Sequence, residues 1–93
     1  MPHFFYLARC ADGSLYAGTC IDVAAREDKH NSGRGAKYTR SRLPLHIIYT
    51  EMFETIRDAR KREAEVKSWH KSQKESLLMK IQKGTERGFD KTK

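Results

Sequence analysis

Apolar and polar positions fall into short blocks whose spacing changes several times along the chain. His3-Phe4-Phe5-Tyr6-Leu7-Ala8-Arg9-Cys10 is an aromatic and aliphatic run that predicts a first strand. Ala11-Asp12-Gly13-Ser14 follows, and its Asp-Gly pair is a turn signal. Leu15-Tyr16-Ala17-Gly18-Thr19 then predicts a second strand, so the first twenty residues form a β-hairpin. Gly18 at its end marks a bend or a close backbone approach.

Asp22 is placed to cap a short helix running from Val23 to about Asn31, where Asn31-Ser32-Gly33 stops it. Residues 33–42 are glycine-rich, basic and without periodicity, which predicts a surface loop. Pro44 suits the entry of a strand, and Leu45 to Phe53, with Ile47, Ile48 and Tyr49, predicts the third. Thr55 caps the next helix, with Asp58 three residues on. Ile56, Ala59, Glu63 and Val66 share one face of it, and Trp69 extends that face. A last helix starts at Ser72, with Glu75 completing a capping box, Leu77, Leu78 and Ile81 inward, and Gly84 at its end. The order strand, strand, helix, strand, helix, helix predicts a small α/β sandwich, one domain over residues 1–84 with a C-terminal tail at 85–93.

Nineteen Lys and Arg against twelve Asp and Glu give the 93 residues a formal net charge of +7. That favours a polyanionic partner, nucleic acid before membrane. No apolar run is long enough to span a bilayer, and the amino terminus lacks the pattern of a signal peptide, so the expected location is cytoplasmic. Cys10 and Cys20 make no disulfide framework, and with His30 they lack the close ligand pairs of structural zinc sites. They read as small buried residues.

Among candidate chemical groups, Glu63 stands out because it lies in an otherwise apolar stripe. A carboxylate there needs a hydrogen bond, a metal or an ion partner, and Lys67 at i+4 is one such partner. Arg26 and His30, four apart, share a helix face and could together hold or protonate a phosphate, or be an ordinary solvated face. Tyr6 and Tyr16 lie on the two hairpin arms. A phenol with a pKa near 10 is a poor base at neutral pH without nearby cations, and a strand tyrosine is more often core.

Taken in order, Phe5-Tyr6-Leu7, Tyr16-Ala17-Gly18, Arg26, His30 and the helical Glu63 resemble the GIY-YIG nuclease superfamily. Residues 11–16, 30–31 and 37–40 (Ala-Asp-Gly-Ser-Leu-Tyr, His-Asn and Lys-Tyr-Thr-Arg) are similar to its small stand-alone bacterial branch. The resemblance spans roughly residues 3–80 and implies a three-stranded antiparallel sheet flanked by helices. It also implies a DNA endonuclease using one divalent cation, Mg2+ or Mn2+, structure-preferring or nonspecific, in DNA repair or turnover.

By that resemblance Glu63 ligates the metal, with Glu65 as the register alternative, and Tyr6 or Tyr16 deprotonates the attacking water. Arg26 stabilises the transition state, His30 orients or shuttles a proton, and Asn31 supports the site. Gly18 would let substrate approach, while Arg34, Lys37, Tyr38, Arg40 and Arg42 would contact DNA, the four cations by gripping phosphates. Thr19 stands where some relatives place a lysine. A recruiting protein or a homodimer would supply substrate choice that one small domain lacks. The alternative function is a nucleic-acid-binding module of the same fold that cleaves little or nothing.

Overall fold

The computed structural model describes residues 1–79. The predicted Ile81, Gly84 and tail lie outside the described residues. Strand β1 (His3–Arg9) is central, flanked antiparallel by β2 (Leu15–Cys20) and β3 (His46–Phe53), in the order β2-β1-β3. Phe5, Tyr6, Leu7 and Ala8 are each at most 1% exposed, because a central strand covered on both faces hides consecutive side chains. The Asp-Gly turn closes as predicted: Gly13 takes φ 86°, and Asp12 accepts from the Ser14 amide at 3.0 Å.

Two cores form, one on each face of the sheet. Tyr6, Ala8, Cys10, Cys20 and Leu45 pack on one side with Tyr16, Val23, Leu43 and Ile47 at its margin. Helix α1 (Val23–Lys29) and the chain leading to β3 cover it, with the Asp22 carboxylate capping α1 through the Ala25 amide at 3.0 Å. Phe5, Leu7, Ala17 and Val66 pack on the other side with Tyr49, Phe53, Trp69, Leu77 and Leu78. Helix α3 (Ile56–Lys67) and a helix over residues 71–79, α4, supply that cover. Cys10 and Cys20 are buried free thiols.

Three local expectations are corrected. Helix α1 does not run to Asn31: His30–Arg34 form one wide π-type turn, which Gly33 ends in the left-handed region at φ 83°. Within the predicted loop 33–42, Lys37–Arg40 form one helical turn, α2, drawn inward by the fully buried Thr39. The order is therefore β-β-α-α-β-α-α. Helix α4 starts earlier than Ser72, since the His70 amide donates to the Gln73 side chain at 2.9 Å. Glu75 instead accepts two hydrogen bonds from Arg9, at 2.5 and 2.9 Å, tying α4 to the sheet. Thr55 caps α3 through the Asp58 amide at 3.1 Å as expected. The Leu43–Pro44 peptide is cis, and Pro44 precedes β3 without entering it.

Candidate active site

The hairpin register places Tyr6 opposite Gly18 and Ala8 opposite Tyr16, so both tyrosines rise from the face that α1 covers. Their rings lie 6.4 Å apart, and each meets the His30 ring edge-on. Their hydroxyls differ. The Tyr6 phenol is 1% exposed and 2.9 Å from His30 Nε2. Among the described residues nothing hydrogen-bonds the Tyr16 hydroxyl, and Tyr16 lines an open depression of about 270 Å³ with Arg26, Lys29, His30, Arg34, Gly35 and Ala36.

A chain of hydrogen bonds fixes the imidazole. Thr39 donates its only hydroxyl hydrogen to the Ala36 carbonyl at 2.8 Å, so it must accept from His30 Nδ1 at 3.1 Å. His30 is then neutral with its proton on Nδ1, and Nε2 accepts from Tyr6. Burial, and then the neighbouring Tyr16, pushes Tyr6 far above the ordinary tyrosine value, although Arg26 pulls the other way. Both nitrogens of His30 are committed and the residue is 2% exposed, so it positions Tyr6 and does not reach outward.

Burial, and then the charges of Arg26 and Lys29, hold the His30 pKa below 6.5. The unfolded chain binds a proton near that pH which the folded chain refuses. Stability from this group is therefore complete above pH 6.5 and is lost as pH falls toward the depressed folded value. Denaturation across pH 7 to 5 is expected to show a His30-dependent slope of at most about 1.4 kcal/mol per pH unit, absent in His30→Gln. Equal slopes in the two proteins would contradict a buried neutral imidazole.

Arg26 occupies the middle of a longer groove. It lines the depression beside Tyr16, a second of about 300 Å³ with Cys20, Ile21, Asp22, Ala25 and Lys29, and a third, also about 300 Å³, reaching His3, Ile56 and Arg60. Arg26 makes no ion pair among the described residues. A larger hollow of about 480 Å³ between Met1, Pro2, Met52, Phe53 and Glu54 contains none of the candidate residues.

Glu63 lies on α3 with its side chain 21% exposed, and Lys67 Nζ sits 2.6 Å from its Oε2, the i+4 partner the spacing allowed. The Glu63 hydrogen bond holds Lys67 above the ordinary lysine value. The same ammonium lies 5.7 Å from the Tyr16 ring centroid, which links Glu63 to the tyrosine cluster. Glu65, the register alternative, is more exposed and pairs with Arg62 at 3.1 Å. No group of three or more His, Cys, Asp or Glu among the described residues is arranged to hold a metal, so any site here rests on few protein ligands.

Several predicted contact residues have other partners. Gly18 is closely approached, but by Tyr6: a β-carbon there would stand 2.5 Å from the Tyr6 hydroxyl, leaving substrate no such opening. Asn31 accepts from the Leu45 amide at 2.8 Å and donates to its carbonyl at 2.9 Å, tying the entry of β3 to the π-type turn after α1. Arg42 binds Asp12 at 3.0 Å and the Tyr38 carbonyl at 2.6 Å, and its guanidinium lies 3.9 Å from the Tyr38 ring centroid. Tyr38 in turn stacks on Tyr16 at 6.0 Å. These groups brace the site. Lys37 and Arg34 are exposed, and Arg40 is exposed while bonding the Gly35 carbonyl at 3.3 Å.

The sequence alone assigned no role to Gly35, Thr39, Lys29 or Arg60. A β-carbon at Gly35 would fall within 2.9 Å of His30 Cα and nearer still to its Nδ1, so this glycine makes room for the imidazole. The only local signal was a second glycine two residues after Gly33.

The profile of the GIY-YIG catalytic domain matches residues 2–76. UPF0213 proteins of Staphylococcus aureus strains Mu50 and N315 are each 51% identical over 76 residues, covering 82% of this chain and 93% of the relative. Two solution structures are each 43% identical. The UPF0213 protein BH0048 from Bacillus halodurans covers 85% of this chain and 84% of its own, with a TM-score of 0.55. The protein EF2693 from E. faecalis covers 88% of both, with a TM-score of 0.60. Among the described residues no helix is long and apolar enough to cross a membrane. With this match over most of the chain and the three-stranded antiparallel sheet flanked by helices, the chain belongs to the GIY-YIG family of nucleases.

Proposed function

We propose that this protein is a DNA endonuclease that hydrolyses phosphodiesters at the groove joining Tyr16 and Arg26, with Glu63 holding a divalent cation. The observation that carries the reading is the contrast between the two phenols. The Tyr6 hydroxyl is buried and spent on His30, whereas no described residue hydrogen-bonds that of Tyr16, which lines a basic groove.

The metal is tested by its donor set. Glu63 already holds one cation, the Lys67 ammonium at 2.6 Å, so its carboxylate is placed to take positive charge. Magnesium suits a site of one carboxylate, because it keeps several waters and takes other oxygens from phosphate. When bound there it would supply Lewis-acid stabilisation of the leaving oxygen.

The chain's own groups do the remaining work. Tyr16, after passing its own proton to solvent, takes the proton of the attacking water as the phenolate, the choice between tyrosines falling to the one that faces the groove. Arg26 neutralises charge growing on the phosphate oxygens, in a pocket whose wall is partly formed by the buried His30. Lys29, Arg34 and Arg60 line the groove and hold flanking phosphates without reading sequence. Lys37 and Arg40 extend that basic surface. A role in repair or turnover of branched DNA fits a domain that grips backbone and reads no bases.

The test is cleavage of labelled linear, branched and flapped DNA in Mg2+ or Mn2+, with Glu63→Gln and Arg26→Ala alongside. Cutting by the wild type, lost in both variants while salt-dependent binding persists, is the expected result. Salt-dependent binding with no cutting of any substrate would replace this reading with a binding module of the same fold.

A further inference from the structure

We propose that Lys67 is the resident counter-ion of Glu63 and that, once a metal displaces it, its ammonium serves Tyr16. The inference rests on the reading that Glu63 holds the metal. Both residues lie on one face of α3, and the Nζ to Oε2 distance is 2.6 Å. A divalent cation on that carboxylate would lie close to the ammonium and repel it, so the two compete for one carboxylate.

The partner that moves is set by exposure and length. The Lys67 side chain is 49% exposed on a flexible stem, while Glu63 is 21% exposed. The Tyr16 ring is already 5.7 Å from the ammonium, so only a swing of the stem separates its two positions. Strand β2, Leu15–Cys20, carries no cation of its own, since Gly18 is followed by Thr19. The ammonium recorded over the Tyr16 ring comes from α3, through Lys67. Negative charge that develops on the phenol as it gives up its proton to solvent would meet this ammonium.

Two readouts separate this role from a merely structural one. Mn2+ binding, followed through the free-ion paramagnetic resonance signal, is expected to tighten about two- to fivefold in Lys67→Met, the worth of a part-exposed ion pair. The rate of DNA cleavage at saturating Mn2+ is expected to fall about three- to tenfold in the same variant. Lys67→Arg, which keeps the charge, should move both quantities back toward wild type. Unchanged or weaker Mn2+ binding in Lys67→Met, or a wild-type rate at saturating metal, would overturn the proposal. Glu63→Gln, measured in parallel, reports on the reading beneath it: Mn2+ binding that survives this change sinks the metal site itself, whatever Lys67 does.

Discussion

Tyr16→Phe is expected to slow DNA cleavage by about a hundredfold or more while leaving thermal stability near that of the wild type. The phenyl ring keeps its packing on Tyr38 and His30, and no hydrogen bond to a described residue is lost with the hydroxyl. Tyr6→Phe should do the opposite. It strands His30 Nε2 in the core without a donor, which costs about 1–3 kcal/mol and lowers the melting temperature by about 5–15 °C. Its cleavage rate should fall by less than about tenfold, below what a general base supplies. Single-turnover rates and melting curves of the two variants together check this. A rate loss greater in Tyr6→Phe than in Tyr16→Phe would reverse the assignment of the base.

Gly35→Ala is expected to be among the most damaging single-methyl changes in the molecule. The added carbon would come within 2.9 Å of His30 Cα, which is backbone and cannot yield as a flexible side chain does. The dihedrals at Gly35, φ −83° and ψ −153°, suit alanine, so the cost is one of space. Relieving it means displacing the π-type turn or the imidazole, and the imidazole is pinned by Tyr6 and Thr39. Overpacking of this kind costs about 1–3 kcal/mol, and denaturant midpoints will read it directly. Wild-type stability in Gly35→Ala would show that residue 35 does not press on His30.

The parts of this fold legible in the sequence were those whose causes are local. The Asp12-Gly13 turn, the unbroken apolar run of β1 and the Thr55 cap each follow from neighbours a few residues apart. The stripe through Ala59 and Val66 was legible for the same reason, and Lys67 was one of the partners the spacing offered Glu63. Helix α2 was not, because four residues are too few to show a period. The Ser72–Glu75 box misled because Arg9, 66 residues away, claims Glu75.

The sequence named residues that the fold brings together, Tyr6, Tyr16, Arg26 and His30, but not how they differ from one another. Tyr6 and Tyr16 look alike in sequence. Only the folded chain buries one and opens the other. Thr39 and Gly35 gain their importance from contact with His30, and Arg42, expected on phosphate, is held by Asp12 and Tyr38. Each of these depends on tertiary partners that no spacing rule encodes.

The most direct measurement is a time course of labelled DNA in Mn2+ with purified wild type and Glu63→Gln prepared identically, each with and without a chelator. Strand cleavage is expected from wild type alone, stopped by the chelator, with DNA binding retained by Glu63→Gln. Cleavage by Glu63→Gln at the wild-type rate, or cleavage that the chelator leaves untouched, would contradict it.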